Sequence, residues 1–202
     1  MSIEKEEMIP LSEAEHEVDL ASRRIGMLHL AYARTLVDML GEEKGKEAIL
    51  ASIKEYGRMV GEQTKEAVQE EGLDVEPENF GKGSSRTLPK FGNCEDAELI
   101  SMKDGKKKSR VYGCSMGKFW REMGEEELGS LYCYVDAAKY MYYNSDYKLI
   151  HNKTMPITGG NCCEFEVKEV SEEEKELFFK ERAQWINLDD DIALNERIEE
   201  SY

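Results

Sequence analysis

The chain has 202 residues, 40% hydrophobic and 35% charged, enough for one domain with a sizeable core. Its 27 basic and 43 acidic side chains leave a formal net charge of -16, which repels nucleic acid and anionic membrane and excludes both as main partners. No apolar run approaches the roughly 18–20 residues of a spanning helix, and the opening MSIEKEEMIP is acidic with no apolar stretch behind it, so a cytoplasmic protein is expected.

The first 72 residues predict two long helices. Ser12 and Glu15 match a capping box. Val18, Ala21, Ile25, Leu28, Tyr32, Leu36 and Met39 then recur at helical steps as one apolar stripe. Gly41 is placed to end this helix. A second stripe, Ile49, Ile53, Tyr56, Val60 and Val68, runs towards Gly72. The short link makes the pair an antiparallel hairpin, and these helices are the surface on which a homodimer would form. Residues 73–96 carry Pro77, Gly81, Gly83, Pro89 and Gly92 and predict a loop or linker. A loop of that length is expected to cover a pocket.

The segment 97–170 predicts the core that carries the site. Around Lys103-Asp104-Gly105-Lys106, two short apolar runs between Ala97 and Cys114 predict a β-hairpin. Met116, Phe119, Trp120 and Met123 mark a short amphipathic helix over 115–129. Ala137, Ala138 and Met141 predict a helix after Asp136, which is placed to cap it. Tyr147, Leu149 and His151, and then Cys163, Phe165 and Val167, alternate as two strands joined through Thr158-Gly159-Gly160-Asn161. Residues 171–202 predict a C-terminal helix, opened by a Ser171–Glu174 capping box, and an acidic tail in which Asp189-Asp190-Asp191 is a solvated charge run. The fold class is therefore α+β: an N-terminal helical hairpin packed on an antiparallel sheet, with a C-terminal helix.

Five cysteines stand at 94, 114, 133, 162 and 163. An odd number in a cytoplasmic chain predicts free thiols. There is no CxxC or HExxH, and His16, His29 and His151 are too few for a His-rich metal centre. No metal and no cofactor are expected. Asp136 is the leading carboxylate, because it interrupts a run of aromatic and apolar residues where an unpaired charge is costly. Cys133 stands three residues before it, either as a nucleophile or as a small buried hydrophobe. Cys114 and Cys163, at strand ends, are placed to approach Cys133, whereas regular alternation turns Cys162 the other way. Lys153 is a candidate for a substrate carboxylate. Asn144 is either a turn residue or a ligand contact. Tyr134 belongs to a tyrosine group that is mostly core, with some ring faces available to a pocket. His29, beside the first stripe, is expected to be structural.

The order Cys114, Phe119-Trp120, Glu127-Leu128-Gly129, Leu131-Tyr132-Cys133, Asp136, Asn144, Lys153-Thr154, Gly159-Gly160 and Cys163-Glu164-Phe165 resembles the family of L-2-amino-thiazoline-4-carboxylic acid hydrolases. The resemblance covers about four fifths of the chain and rests on the ordered set, since no single motif is very specific. It implies a small-molecule pocket and hydrolytic opening of a cyclic amidine-like C=N. For that chemistry Asp136 and Cys133 are the expected catalytic residues, and Cys114, Tyr134, Asn144, Lys153 and Cys163 the expected substrate contacts. The closing pattern is also similar to the 4-vinyl reductase-like ligand-binding domains, some of which bind zinc through a Cys, a Glu and two further Cys. Here Lys153 and Pro156 stand near the Glu and middle Cys positions, a departure from the zinc pattern. That second likeness implies a non-enzymatic binding or sensor domain as the alternative.

Overall fold

A computed structural model describes residues 9–82, 96–101, 107–154, 160–180 and 184–189. Helices α1 (Leu11–Leu40) and α2 (Glu42–Glu70) form the hairpin, and Gly41, at φ 83°, makes the single-residue link that only glycine takes without strain. The Ser12 capping box does not form. The helix begins two residues earlier, with Pro10 at the cap position, and the Pro10 carbonyl accepts from the N–H groups of Glu13 and Ala14. The buried face of α1 is also not the apolar stripe. Ser22, Gly26, Leu30 and Ala33 turn inward, while Leu28, Tyr32 and Met39 are exposed. Small side chains let α1 lie close to its neighbours, and Trp120 donates its indole N–H to the Gly26 carbonyl at 3.2 Å.

Strands β1 (Asp96–Ser101) and β2 (Lys107–Tyr112) pair antiparallel, with Ser101 opposite Lys107; the Asp104-Gly105 turn lies outside the described residues. Helices α3 (Ser115–Glu122) and α4 (Glu126–Ser130) follow. A 3-10 turn, Leu131–Tyr134, runs directly into α5 (Val135–Tyr143). Strands β3 (Tyr147–Lys153) and β4 (Cys162–Glu169) complete a four-stranded antiparallel sheet in the order β1-β2-β4-β3. The C-terminal α6 (Glu172–Lys180) opens on the expected capping box. Ser171 Oγ accepts from Glu174 N–H at 3.2 Å, and Glu174 Oε2 accepts from Ser171 N–H at 2.8 Å. A 3-10 segment, Gln184–Leu188, ends the described chain.

The main core lies between α2, α5 and this C-terminal segment: Ile49, Leu50, Ile53, Tyr134, Ala138, Met141, Phe178, Trp185 and Leu188. Gly57 and Gly61 let α5 approach α2. A Cβ on Gly57 would come within 2.4 Å of the Ala138 Cβ, and one on Gly61 within 2.4 Å of the Lys139 carbonyl oxygen. That close approach fixes the position of α5, whose other side faces the sheet. Between them opens a cleft of about 1550 Å³.

Candidate active site

One row of paired residues crosses the sheet: Leu99, Ser109, Phe165 and His151, each opposite the next. All four line the cleft, as do Val111 and Cys163 from the neighbouring row. The alternating pleat therefore sends His151 and Cys163 into one space. Cys162, on the opposite phase, is buried away from it. From the helical side, Cys133 and Asp136 enter the cleft one turn apart. Cys114, Trp120, Tyr132, Lys139 and Tyr140 line it as well.

Asp136 is not the helix cap that its position predicts. It lies in the first turn of α5, with no side-chain bond to the backbone N–H groups. Its carboxylate instead pairs with Lys139, three residues on, through Oδ1 and faces His151 Nε2 at 3.4 Å through Oδ2. On the far side of the ring, His151 Nδ1 meets Asp189 Oδ2 at 2.6 Å. The backbone N–H of His151 donates to Asp189 Oδ1 at 2.9 Å. Strand β3 is the edge of the sheet, so Asp189 satisfies a ladder donor that would otherwise lack a strand partner. The Phe165 ring packs on the imidazole at 4.6 Å between centroids. The result is a carboxylate–imidazole–carboxylate relay with a lysine at its cleft end.

The charges of the relay sustain one another. Burial alone pushes the His151 imidazole down, but hydrogen bonds and charge from Asp136 and Asp189 outweigh it and hold the ring up at about 9. Burial pushes the Asp136 carboxyl up, and Lys139 and His151 more than reverse that, holding it well below the usual carboxylate range. At neutral pH the pair is thus a carboxylate and an imidazolium. Asp136 keeps 18% of its side chain exposed, against 1% for His151 and none for Asp189. The Asp136 carboxylate is the most exposed member of the relay, and His151 beside it also lines the cleft.

Cys133 behaves in the opposite way. Burial raises its thiol well above the ordinary value, and Cys163, Cys114 and Asp136 raise it further. Cys114, Cys133 and Cys163 all line the cleft, but Cys133 is held as a neutral thiol. None of the four described cysteines forms a disulfide; Cys94 lies outside the described residues. Among the described residues, no three His, Cys, Asp or Glu side chains are grouped to hold a metal ion.

Two expected ligand contacts are placed elsewhere. Tyr134 is fully buried in the main core, edge-on to Trp185, and does not line the cleft. Burial and the Asp189 charge push its hydroxyl up. Asn144 acts as a turn residue: its Nδ2 donates to the Val75 carbonyl at 2.6 Å and its Oδ1 accepts from Asp146 N–H at 3.0 Å. Lys153 closes β3, but its side chain lies outside the described residues. His29 is structural, donating Nε2–H to the Leu128 carbonyl at 3.1 Å. Of the long loop, Glu76, Pro77 and Glu78 do line the cleft, and Phe80 stacks on Tyr140 at 4.5 Å; 83–95 lies outside the described residues.

Sequence reasoning missed His151 and Asp189. The alternation of 147–152 did place His151 on the phase of Leu149, which lines the cleft. For Asp189 the only available signal was Trp185-Ile186 just before it, an apolar anchor within an acidic stretch. A buried Asp189 corrects the solvated charge run expected there; Asp190 and Asp191 lie outside the described residues.

No curated protein and no solved structure matches the chain. A family model does, over residues 22–167, a span that holds Cys114, Cys133, Asp136, Lys139, His151 and Cys163 and leaves out Asp189. The model is that of L-2-amino-thiazoline-4-carboxylic acid hydrolase; it covers more than half of the sequence, and the chain belongs to that family.

Proposed function

We propose that the protein is a hydrolase that opens a small cyclic amidine-like ring bearing a carboxylate, as in L-2-amino-thiazoline-4-carboxylic acid. The observation that carries the reading is the Asp136–His151 pair at the wall of the cleft, with Lys139 beside it. Lys139 is placed to pair with the substrate carboxylate. Asp136 orients a water against the carbon of the C=N bond and takes its proton as the C–O bond forms. The π electrons move to the ring nitrogen, which takes a proton from the His151 imidazolium. The C–N bond then breaks with its electron pair left on the ring nitrogen, and the proton of the adduct's hydroxyl passes to that nitrogen, which leaves a carbonyl and an amine. Transfer of the proton from Asp136 to His151 restores the starting pair. Asp189 holds the ring through Nδ1, so that Nε2 faces Asp136 throughout.

The neutral Cys133 thiol supports water rather than sulfur as the attacking group. The test is incubation of the purified protein with L-2-amino-thiazoline-4-carboxylic acid, followed by mass spectrometry. The expected product is heavier by one water, and Asp136→Asn and His151→Gln should form it far more slowly. A second reading, a non-enzymatic binding domain, is favoured by the apolar walls of the cleft, and predicts ligand retention with no such mass gain.

A further inference from the structure

The cleft is much larger than the reaction requires. Drug-sized ligands fill sites of about 300–1,000 Å³, and this one measures about 1550 Å³. A single five-membered ring with one carboxylate would leave most of it to water. The relay occupies only one part of the wall. Ile25 of α1, Tyr56 and Val60 of α2, and Met116 and Trp120 of α3 add apolar lining to the cleft. Part of this lining is open to water in the free protein: Ile25 is 47% exposed and Tyr56 42%, whereas Trp120 is buried. Tyr132 connects the two parts, with Tyr56 at 5.9 Å and Trp120 at 6.1 Å between ring centroids. Exposed apolar side chains that converge on a cleft gain about 25 cal/mol per Å² when a ligand covers them. A charged carboxylate and the exposed side chains of Ile25 and Tyr56 in one cleft match a molecule with a cationic part and an apolar part.

We infer that the ligand of this cleft carries an extended apolar group, seated against Ile25, Tyr56, Met116 and Trp120, on the amidine-like head that faces Asp136. The inference rests on the proposed reading of Asp136 and deepens it by naming the substrate class: cyclic amidines with an added apolar substituent, of which the bare ring acid is the smallest member.

The test is a calorimetric titration of the full-length protein with straight-chain amidines from acetamidine to hexanamidine, with hexanoate as the control. Affinity should rise about fourfold per methylene, some two orders of magnitude across the series. Ile25→Ser and Tyr56→Ser should each flatten that slope, with circular dichroism confirming that the variants are folded. Asp136→Asn should weaken every amidine. A flat dependence on chain length, with Asp136-dependent binding of acetamidine intact, overturns this inference and leaves the hydrolase reading standing. Hexanoate binding as tightly as hexanamidine, regardless of residue 136, overturns it in favour of an apolar carrier site. No Asp136-dependent binding of any amidine removes both the inference and the reading beneath it.

Discussion

Cys133 and Asp136 stand one helical turn apart and face the same cleft, yet burial acts on them in opposite senses. The thiol is pushed up by burial first, and the thiols and carboxylates near it, Cys163, Cys114, Asp136 and Asp189, raise it further. The carboxylate has Lys139 and His151, and together these overcome the burial that would protonate it. His151 in turn keeps its proton because it lies between two carboxylates. Buried charge persists where it is paired on all sides and vanishes where it is not. Nearness in sequence therefore does not make two residues partners in chemistry; their electrostatic company does.

Removal of a member of the relay is the strongest way to test that contrast. Asp136→Asn and His151→Gln are each expected to lower kcat/KM for ring opening by about 10²–10⁴-fold, the usual weight of a positioned acid or base. Asp189→Asn should cost less, about 10–100-fold, because the residue acts by holding the ring. It has a second signature that a merely structural residue would lack. With one carboxylate lost, the imidazolium gives up its proton at lower pH, so the alkaline limb of the rate profile moves down from about 9. An unchanged limb in Asp189→Asn would show that Asp136 alone sets the ring's protonation.

The same pairing gives stability a dependence on pH. The His151 pKa is raised above its ordinary 6.5, so its contribution is full below 6.5 and is lost as pH rises through about 9. The Asp136 pKa is lowered below its ordinary 3.8, so its contribution is full above 3.8 and fades as pH falls below that. The relay should therefore stabilise the fold most between 3.8 and 6.5. Every factor of ten in proton affinity gained or lost on folding corresponds to about 1.4 kcal/mol. Thermal unfolding followed from about pH 6.5 to 9.5 should show Tm falling by several degrees more in the wild type than in His151→Gln. Parallel curves would mean that the imidazolium is not stabilised by its neighbours.

The part of this contrast that was legible in the sequence is the part carried by local pattern. Alternation marked the strands, and Ser171 with Glu174 marked the start of α6 to the residue. Asp136 was conspicuous as a charge among aromatic residues. Pattern failed where distant packing decides. The stripe of α1 predicted an apolar buried face, but the helix packs through Ser22, Gly26 and Ala33, because close approach and the Trp120 contact outweigh side-chain hydrophobicity there. Asp189 was hidden for a related reason. It stands 38 residues from His151, and nothing in the spacing says that the segment around Trp185 folds back to anchor it.

The smallest expected effect falls on the thiol side. Cys133→Ala and Cys133→Ser should each leave kcat/KM within about tenfold of the wild type, since a neutral thiol contributes packing rather than attack. Alanine removes one partly buried heavy atom and should cost on the order of 1 kcal/mol in unfolding free energy. Serine keeps the shape but places a hydroxyl among sulfur and aromatic groups, at a comparable cost. If sulfur were the nucleophile, both variants would lose at least about 10³-fold, and trapping during turnover would reveal a covalent adduct at Cys133. The contrast is therefore sharpest in the ratio of the two effects. A loss at Cys133 as deep as that at Asp136 would mean that substrate binding draws a cation towards the thiol and reverses the electrostatics of the free cleft.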